Sequence, residues 1–162
     1  ITITRFPIGH GMAATPMQIH FASSILANNG MLLKPQIVRR IEDSKGAILA
    51  TFGPSEKRKV ISEKTAKTAR EILRRDNPKI KIEGTEVAGK TSTSQKIVDG
   101  RYSHTQHISG FSGFFPLENP EIIITVIIDS PKVKGVAYGA IVAAPSFKRL
   151  GQQVANYYKL LK

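Results

Sequence analysis

The 162-residue chain contains no cysteine, which excludes a disulfide scaffold and a thiolate metal centre. It also lacks any long apolar run. Residues 122–128, interrupted only by Thr125, form the longest one, far short of the roughly 20 residues a helix needs to cross a bilayer. Acidic residues are scarce, with 12 Asp+Glu against 24 Lys+Arg, a net charge of +12 with neutral histidines. That excess suggests an acidic partner. The positive charges are scattered, however, as in Arg39-Arg40, Lys57-Arg58-Lys59, Arg74-Arg75 and Lys148-Arg149. No block of five like charges forms, and no aromatics interleave with them as a platform for bases. The reading is a solvated basic surface with no nucleic-acid partner. With 41% hydrophobic and 22% charged residues the chain has ordinary globular usage, so disorder is a poor description, and its length allows one domain. It opens at Ile1 with no Met, basic leader or apolar signal core. The expectation is a piece of a longer chain, with any targeting or anchoring segment upstream.

Thr15-Pro16 is a helix start, with Thr as N-cap and Pro at the first helical position. Helical spacing runs to Asn28, and Asn29-Gly30 ends it. Residues 36–41 and 47–52 read as a hairpin around Asp43-Ser44-Lys45-Gly46, and residues 54–59 as a polar connection. Ser62 caps a second helix through Leu73, ending at Asp76-Asn77-Pro78. Residues 79–82 alternate, and residues 86–95 are rich in Val, Thr and Ser. Asp99-Gly100 is a turn signal, followed by a glycine-punctuated strand over 108–115. Residues 121–129 form a strand whose near-continuous apolar character predicts cover on both faces. Pro145 and Ser146 open a closing helix with Phe147, Leu150, Val154, Tyr157, Tyr158 and Leu161 as its apolar stripe. The expected fold is α+β, a three-stranded antiparallel meander packed against helices.

Two motifs compete for one lysine. Gly84-Thr85-Glu86-Val87-Ala88-Gly89-Lys90-Thr91 satisfies the phosphate-loop pattern without a mismatch, and Asp129 ends an apolar strand as a magnesium-side carboxylate would. An NTPase is therefore one reading. A phosphate loop must feed a helix whose amides converge on the anion. Here Lys90 precedes Thr91-Ser92-Thr93-Ser94, four poor helix formers, and Asp99-Gly100 stops the segment soon after.

The second reading places Lys90-Thr91-Ser92-Thr93 on a strand, where it resembles the Lys-Thr-Gly signature of penicillin-binding proteins and serine β-lactamases. The resemblance extends along the chain. It includes Gly9-His10-Gly11, Thr15-Pro16-Met17-Gln18, Ala27-Asn28-Asn29-Gly30, Val60-Ile61-Ser62, Gly110-Phe111-Ser112-Gly113-Phe114-Phe115-Pro116, Tyr138-Gly139 and Ala143-Ala144-Pro145 with Phe147. These follow in the order found in class B transpeptidase domains, over roughly residues 3–160. The chain is thus identified as resembling the C-terminal portion, residues 1–162, of a single penicillin-binding/β-lactamase-like transpeptidase domain.

In that family a serine attacks a D-Ala carbonyl of a peptidoglycan stem peptide, and a second stem resolves the acyl-enzyme. β-Lactam antibiotics acylate the same serine. The resemblance implies that Lys90 sets positive charge near the substrate carboxylate and the reacting hydroxyls. Thr91 and Thr93 would offer hydroxyls to that carboxylate. The backbone N–H of Thr93 would be an oxyanion donor, making Lys90 and Thr93 the catalytic residues of this segment and Thr91, Ser92 and Thr93 its substrate contacts. It implies no metal and no cofactor. It also implies a cell-envelope location on the extracytoplasmic face, an anchor upstream and a polytopic glycosyltransferase partner. In that picture residues 121–129 are a central strand and Lys90 to Ser94 lie at the cleft edge, and the run Ile-Thr-Val-Ile-Ile-Asp-Ser-Pro at 124–131 leans toward the cell-division branch.

Three departures stand out. Ser92 replaces the family's glycine, whose bareness lets substrate approach the strand. The stretch between Leu73 and Gly84 is compressed. None of the twelve serines has Lys three residues on or Asn two residues on, so the nucleophile and the Ser-x-Asn residues are expected upstream and this segment alone is expected to be inactive. A penicillin-binding-like scaffold without catalysis is a further alternative. His104 and His107 have no third ligand nearby, so zinc is not expected, and both are read as solvated residues of a loop beside the cleft. His10 is read as a turn residue, and His20 as a packed or surface one.

Overall fold

The computed structural model describes residues 4, 9, 11–76, 79–133 and 135–160. Helix α1, Pro16–Ala27, starts as its residues dictate: Thr15 Oγ1 accepts the Gln18 N–H, and Gln18 returns its side-chain oxygen to the Thr15 N–H at 2.8 Å. The chain leaves α1 through Asn29 and Gly30, both at positive φ. Gly30 is obligatory there, because a Cβ would fall 2.2 Å from the Ile61 carbonyl oxygen.

Strand β1, Met31–Leu33, pairs antiparallel with β4, Glu56–Lys59. The polar connection expected over 54–59 therefore contains a strand. Its four residues are all exposed and charged, so no apolar alternation marks it, and backbone pairing to β1 places it. Strands β2, Arg40–Glu42, and β3, Ile48–Thr51, form the expected hairpin.

Helix α2, Glu63–Asp76, begins with Ser62 Oγ accepting the Thr65 N–H at 3.0 Å. The Asn77-Pro78 stop lies outside the described residues. Where residues 79–82 alternate there is no strand, only a bridge between Ile82 and Thr85. Ile82 is instead buried under α4.

Strands β5, Ala88–Val98, β6, Arg101–Phe115, and β7, Ile122–Asp129, form the expected antiparallel meander in the order β5-β6-β7. Among the described residues β7 is an edge strand, against the central place expected for it. Its two faces are nonetheless covered. Ile122, Ile124, Val126 and Ile128 pack with Phe111, Phe115 and Phe147. Ile123 packs on the opposite face with Phe114, Leu26, Ala27 and Leu73.

The sheet therefore separates two helical layers. One face carries α1 and α2, and the other carries the short α3, Gly139–Val142, and α4, Ala144–Leu160. The stripe that α4 buries differs from the expected one. Phe147 is buried and Val154 packs against the core as expected, but they are joined by buried Gly151 and Ala155, whereas Leu150, Tyr157 and Tyr158 are exposed. Small residues at 151 and 155 let Ile82 and Phe115 approach, and a Cβ on Gly151 would meet Ile82 Cδ1 at 2.5 Å. Leu161 lies outside the described residues.

Arg70 is a basic helix residue that sequence reading passes over. It is 4% exposed, and its Nη1 donates to the Leu26 carbonyl and to Asn29 Oδ1, each at 2.9 Å. A guanidinium from α2 thereby satisfies the orphan carbonyl end of α1, where the helix dipole favours a cation.

Candidate active-site rim on β5

Strand alternation divides the candidate residues between two faces of β5. Lys90 pairs with Ser112 across the sheet, on the α1/α2 face, and Ser92 follows on that face opposite Gly110. Thr91 and Thr93, opposite Phe111 and Ser109, belong to the α3/α4 face. The four candidates thus share one edge strand without sharing one surface.

Lys90 Nζ lies 2.8 Å from Asp76 Oδ2, at the end of α2, in a half-exposed ion pair. An acidic residue at a helix C-terminus opposes the dipole, and the Lys90 ammonium offsets that. The Ser92 hydroxyl lies over β6, since a Cβ on Gly110 would meet Ser92 Oγ at 2.6 Å. The residue that departs from the family's glycine therefore directs its side chain across the sheet toward a glycine.

On the other face Thr93 Oγ1 accepts the Gly139 N–H at 3.0 Å, while buried Ser109 donates its hydroxyl to the Ala137 carbonyl. This cross-strand pair clamps the segment leading into α3. Gly139 comes so close that a Cβ would lie 2.3 Å from Gly110 O and 2.6 Å from Ser92 O. Sequence reading missed this docking. Its only trace was the Tyr138-Gly139 motif.

The phosphate-loop reading fails on geometry. Gly84 lies in a turn, and Ala88 through Thr91 run into the extended β5 with no helix after Lys90. The amides therefore do not converge at a helix end. Asp129, the supposed magnesium ligand, is bound by Lys96 Nζ at 2.8 Å. That ammonium and the Ser130 hydroxyl hold the Asp129 carboxyl below its ordinary range.

The histidines separate as well. His104 and His107 both belong to β6 and not to a loop, and His107 is buried. His20 Nδ1 lies 3.1 Å from Thr125 Oγ1, which in turn meets Ser112 Oγ at 2.8 Å. His10 lies outside the described residues. Among those residues no group of three or more His, Cys, Asp or Glu gathers as a metal site, and no helix is long and apolar enough to cross a membrane.

A cleft of about 820 Å³ opens beyond the start of β5, between Arg74 and Arg75 of α2, residues 80–87 and the turn at Pro116 to Glu118. Lys90 to Thr93 do not line it. They lie on β5, an edge strand of the sheet among the described residues.

The family model described as "Penicillin binding protein transpeptidase domain" matches residues 1–152. The chain belongs to the transpeptidase family of class B penicillin-binding proteins.

Among curated relatives it is 36% identical over 143 residues to stage V sporulation protein D of Bacillus subtilis, covering 85% of this chain and 22% of that protein. It is 32% identical over 148 residues to the probable peptidoglycan D,D-transpeptidase PenA of Neisseria flavescens, covering 88% and 34%. The chain thus spans between about a fifth and a third of these relatives' length. Penicillin-binding protein 3 of Mycobacterium tuberculosis, solved in complex with aztreonam, superposes with a TM-score of 0.81 at 25% identity over 95% of this chain and 37% of that one. PBPA from the same organism gives 0.77 at 23% over 90% and 33%, a likeness of fold. The α+β architecture is that of a partial penicillin-binding transpeptidase domain.

Proposed function

We propose that this chain is the C-terminal portion of a peptidoglycan D,D-transpeptidase domain and supplies the strand along which a stem peptide or a β-lactam lies while it acylates the serine nucleophile. The observation that carries the reading is the placement of Lys90-Thr91-Ser92-Thr93 on β5, at the edge of the sheet, in a chain of this family. An edge strand offers unpaired backbone groups, and an extended peptide adds to it as a further strand. Lys90 supplies positive charge on one side of that rim. The Thr93 N–H is the oxyanion donor contributed by this segment, a kind of contact worth about 3 kcal/mol of barrier. The Thr93 hydroxyl accepts the Gly139 N–H, which leaves its O–H free to donate to the substrate carboxylate. Thr91 completes the substrate contacts from the same face.

The serine nucleophile and its Ser-x-Asn partner come from sequence outside this chain, since no serine here has either spacing. The partners are peptidoglycan stem peptides, β-lactam antibiotics and a polytopic glycosyltransferase, at the extracytoplasmic face of the cell envelope. The relatives' names, a D,D-transpeptidase and a penicillin-binding protein complexed with a β-lactam, support substrate and antibiotic.

The test is labelling of the full-length protein with fluorescent penicillin. The expected result is covalent labelling that is lost on competition with unlabelled penicillin, with Lys90→Ala lowering the rate about 100-fold. A folded full-length protein that is neither labelled nor releases D-Ala from a stem pentapeptide would overturn the proposal in favour of a non-catalytic scaffold.

A further inference from the structure

β5 and β6 outrun β7. The last row shared by all three strands joins Ser94, Ile108 and Asp129. Beyond it β5 and β6 continue alone as a two-stranded arm, through Ile97 opposite Tyr102 and Val98 opposite Arg101, closed by Asp99-Gly100 at positive φ. Ile97 and Tyr102 are exposed, at 66% and 60%. A lone two-stranded ribbon is marginal in water. The direction in which this arm points is therefore set at its base.

The base holds a specific set of contacts. Register shifts between Gln95 and Ile97, and Lys96 sends its side chain back across β6 to β7. Its Nζ donates to Asp129 Oδ1 at 2.8 Å and to Ser130 Oγ at 3.1 Å. Ser130 Oγ donates to Asp129 Oδ1 at 2.8 Å, and the Ser130 N–H donates to the His107 carbonyl at 2.9 Å. Ser130 adopts this arrangement at φ +49, a conformation that costs a non-glycine residue energy and persists where surrounding contacts over-determine it. The Lys96 side chain is 28% exposed, against 61% for Lys90. It is therefore the more constrained of the two lysines on this face.

We propose that Lys96, Asp129 and Ser130 form a latch that fixes the arm relative to the sheet, and through it the course of β5 just past Thr93, making them positioning residues for acylation. The inference rests on the transpeptidase reading for its consequence, and on the geometry alone for the latch. A strand-like substrate gains its rate from registration against a rigid edge, and small misplacements of that edge are costly.

The test uses the full-length protein with Asp129→Lys, Lys96→Met and the charge exchange Lys96→Asp/Asp129→Lys. Two readouts are compared in variants whose melting temperature matches wild type. They are amide hydrogen exchange over residues 96–107 and the second-order rate of labelling by fluorescent penicillin. Each single variant is expected to speed exchange in the arm, leave residues 122–128 unchanged and slow labelling about tenfold. The charge exchange should restore both. Unchanged exchange in the arm would overturn the latch. Faster exchange with labelling within about twofold of wild type would overturn its positioning role. Failure of the charge exchange to restore either readout would show that the ion pair is not the cause. A folded wild type that penicillin does not label would overturn the transpeptidase reading and with it the positioning role, while exchange would still decide the latch.

Discussion

The hydroxyl of Ser92 fills the space that a side chain at Gly110 would take, since a Cβ there would fall 2.6 Å from Ser92 Oγ. The pair is complementary across β5 and β6. A glycine on one strand accommodates the serine that stands where the family has glycine on the other. Gly110→Ala should cost about 1 kcal/mol in the wild-type background and clearly less in Ser92→Gly, where the competing hydroxyl is gone. A double-mutant cycle by chemical denaturation measures the coupling. A coupling of zero would mean that the two positions do not share this space.

Gly139 has no such latitude, because what its Cβ would strike is backbone: Gly110 O at 2.3 Å and Ser92 O at 2.6 Å. Gly139→Ala should destabilise the protein by about 3 kcal/mol. It should also push α3 off the sheet, seen as faster exchange at residues 137–143. Thr93→Val, which leaves the Gly139 N–H without its acceptor, should cost about 1–2 kcal/mol, and Thr93→Ser should restore most of it.

Arg70 ties α2 to the end of α1 through Leu26 and Asn29. Arg70→Met keeps the bulk of the stem but takes the donor from the part-buried Leu26 carbonyl and from Asn29 Oδ1, and should cost about 1–2 kcal/mol. Arg70→Lys should recover only part of this, because one ammonium cannot reproduce the planar fork. Thermal denaturation of the three proteins checks the order.

Asp129 gives a pH signature. Its carboxyl is held below the ordinary 3.8 by the Lys96 and Ser130 hydrogen bonds. A group with a depressed folded pKa contributes stability above its unfolded value and loses that contribution as pH falls through the folded one. The stability difference between wild type and Asp129→Asn should therefore be constant at neutral pH and shrink only below about pH 4. Denaturation midpoints of both proteins across pH 2–7 read this out. Glu63, lowered by Lys67 on the same helix, adds a background of the same sign to both proteins, and it cancels in the difference.

Much of this was legible in the residues. Thr15-Pro16, Ser62 and Asp99-Gly100 act through their own backbone preferences, so α1, α2 and the β5–β6 turn needed no tertiary information. The apolar run at 122–128 announced a covered strand, and Lys90-Thr91-Ser92-Thr93 announced an extended segment. The β1–β4 pair was illegible because four exposed charged residues carry no pattern, and backbone pairing leaves none. His104 and His107 read as loop residues because a run of polar side chains carries no apolar alternation to mark the outer part of a long ribbon. The buried stripe of α4 was misread because glycine and alanine, small enough for Ile82 and Phe115 to approach, score as weak positions beside exposed tyrosines.

Local chemistry in the chain determined its elements, its family signature and the residue types at the rim. Folding decided which of those side chains share a face, since strand alternation sets Lys90 and Ser92 against Thr91 and Thr93. It also decided which partners they meet. Asp76, Gly110, Gly139 and Asp129 lie between 14 and 46 residues away along the chain from the residues they engage. Contacts over such separations come from the packing of helices on both faces of the sheet, which no local pattern encodes.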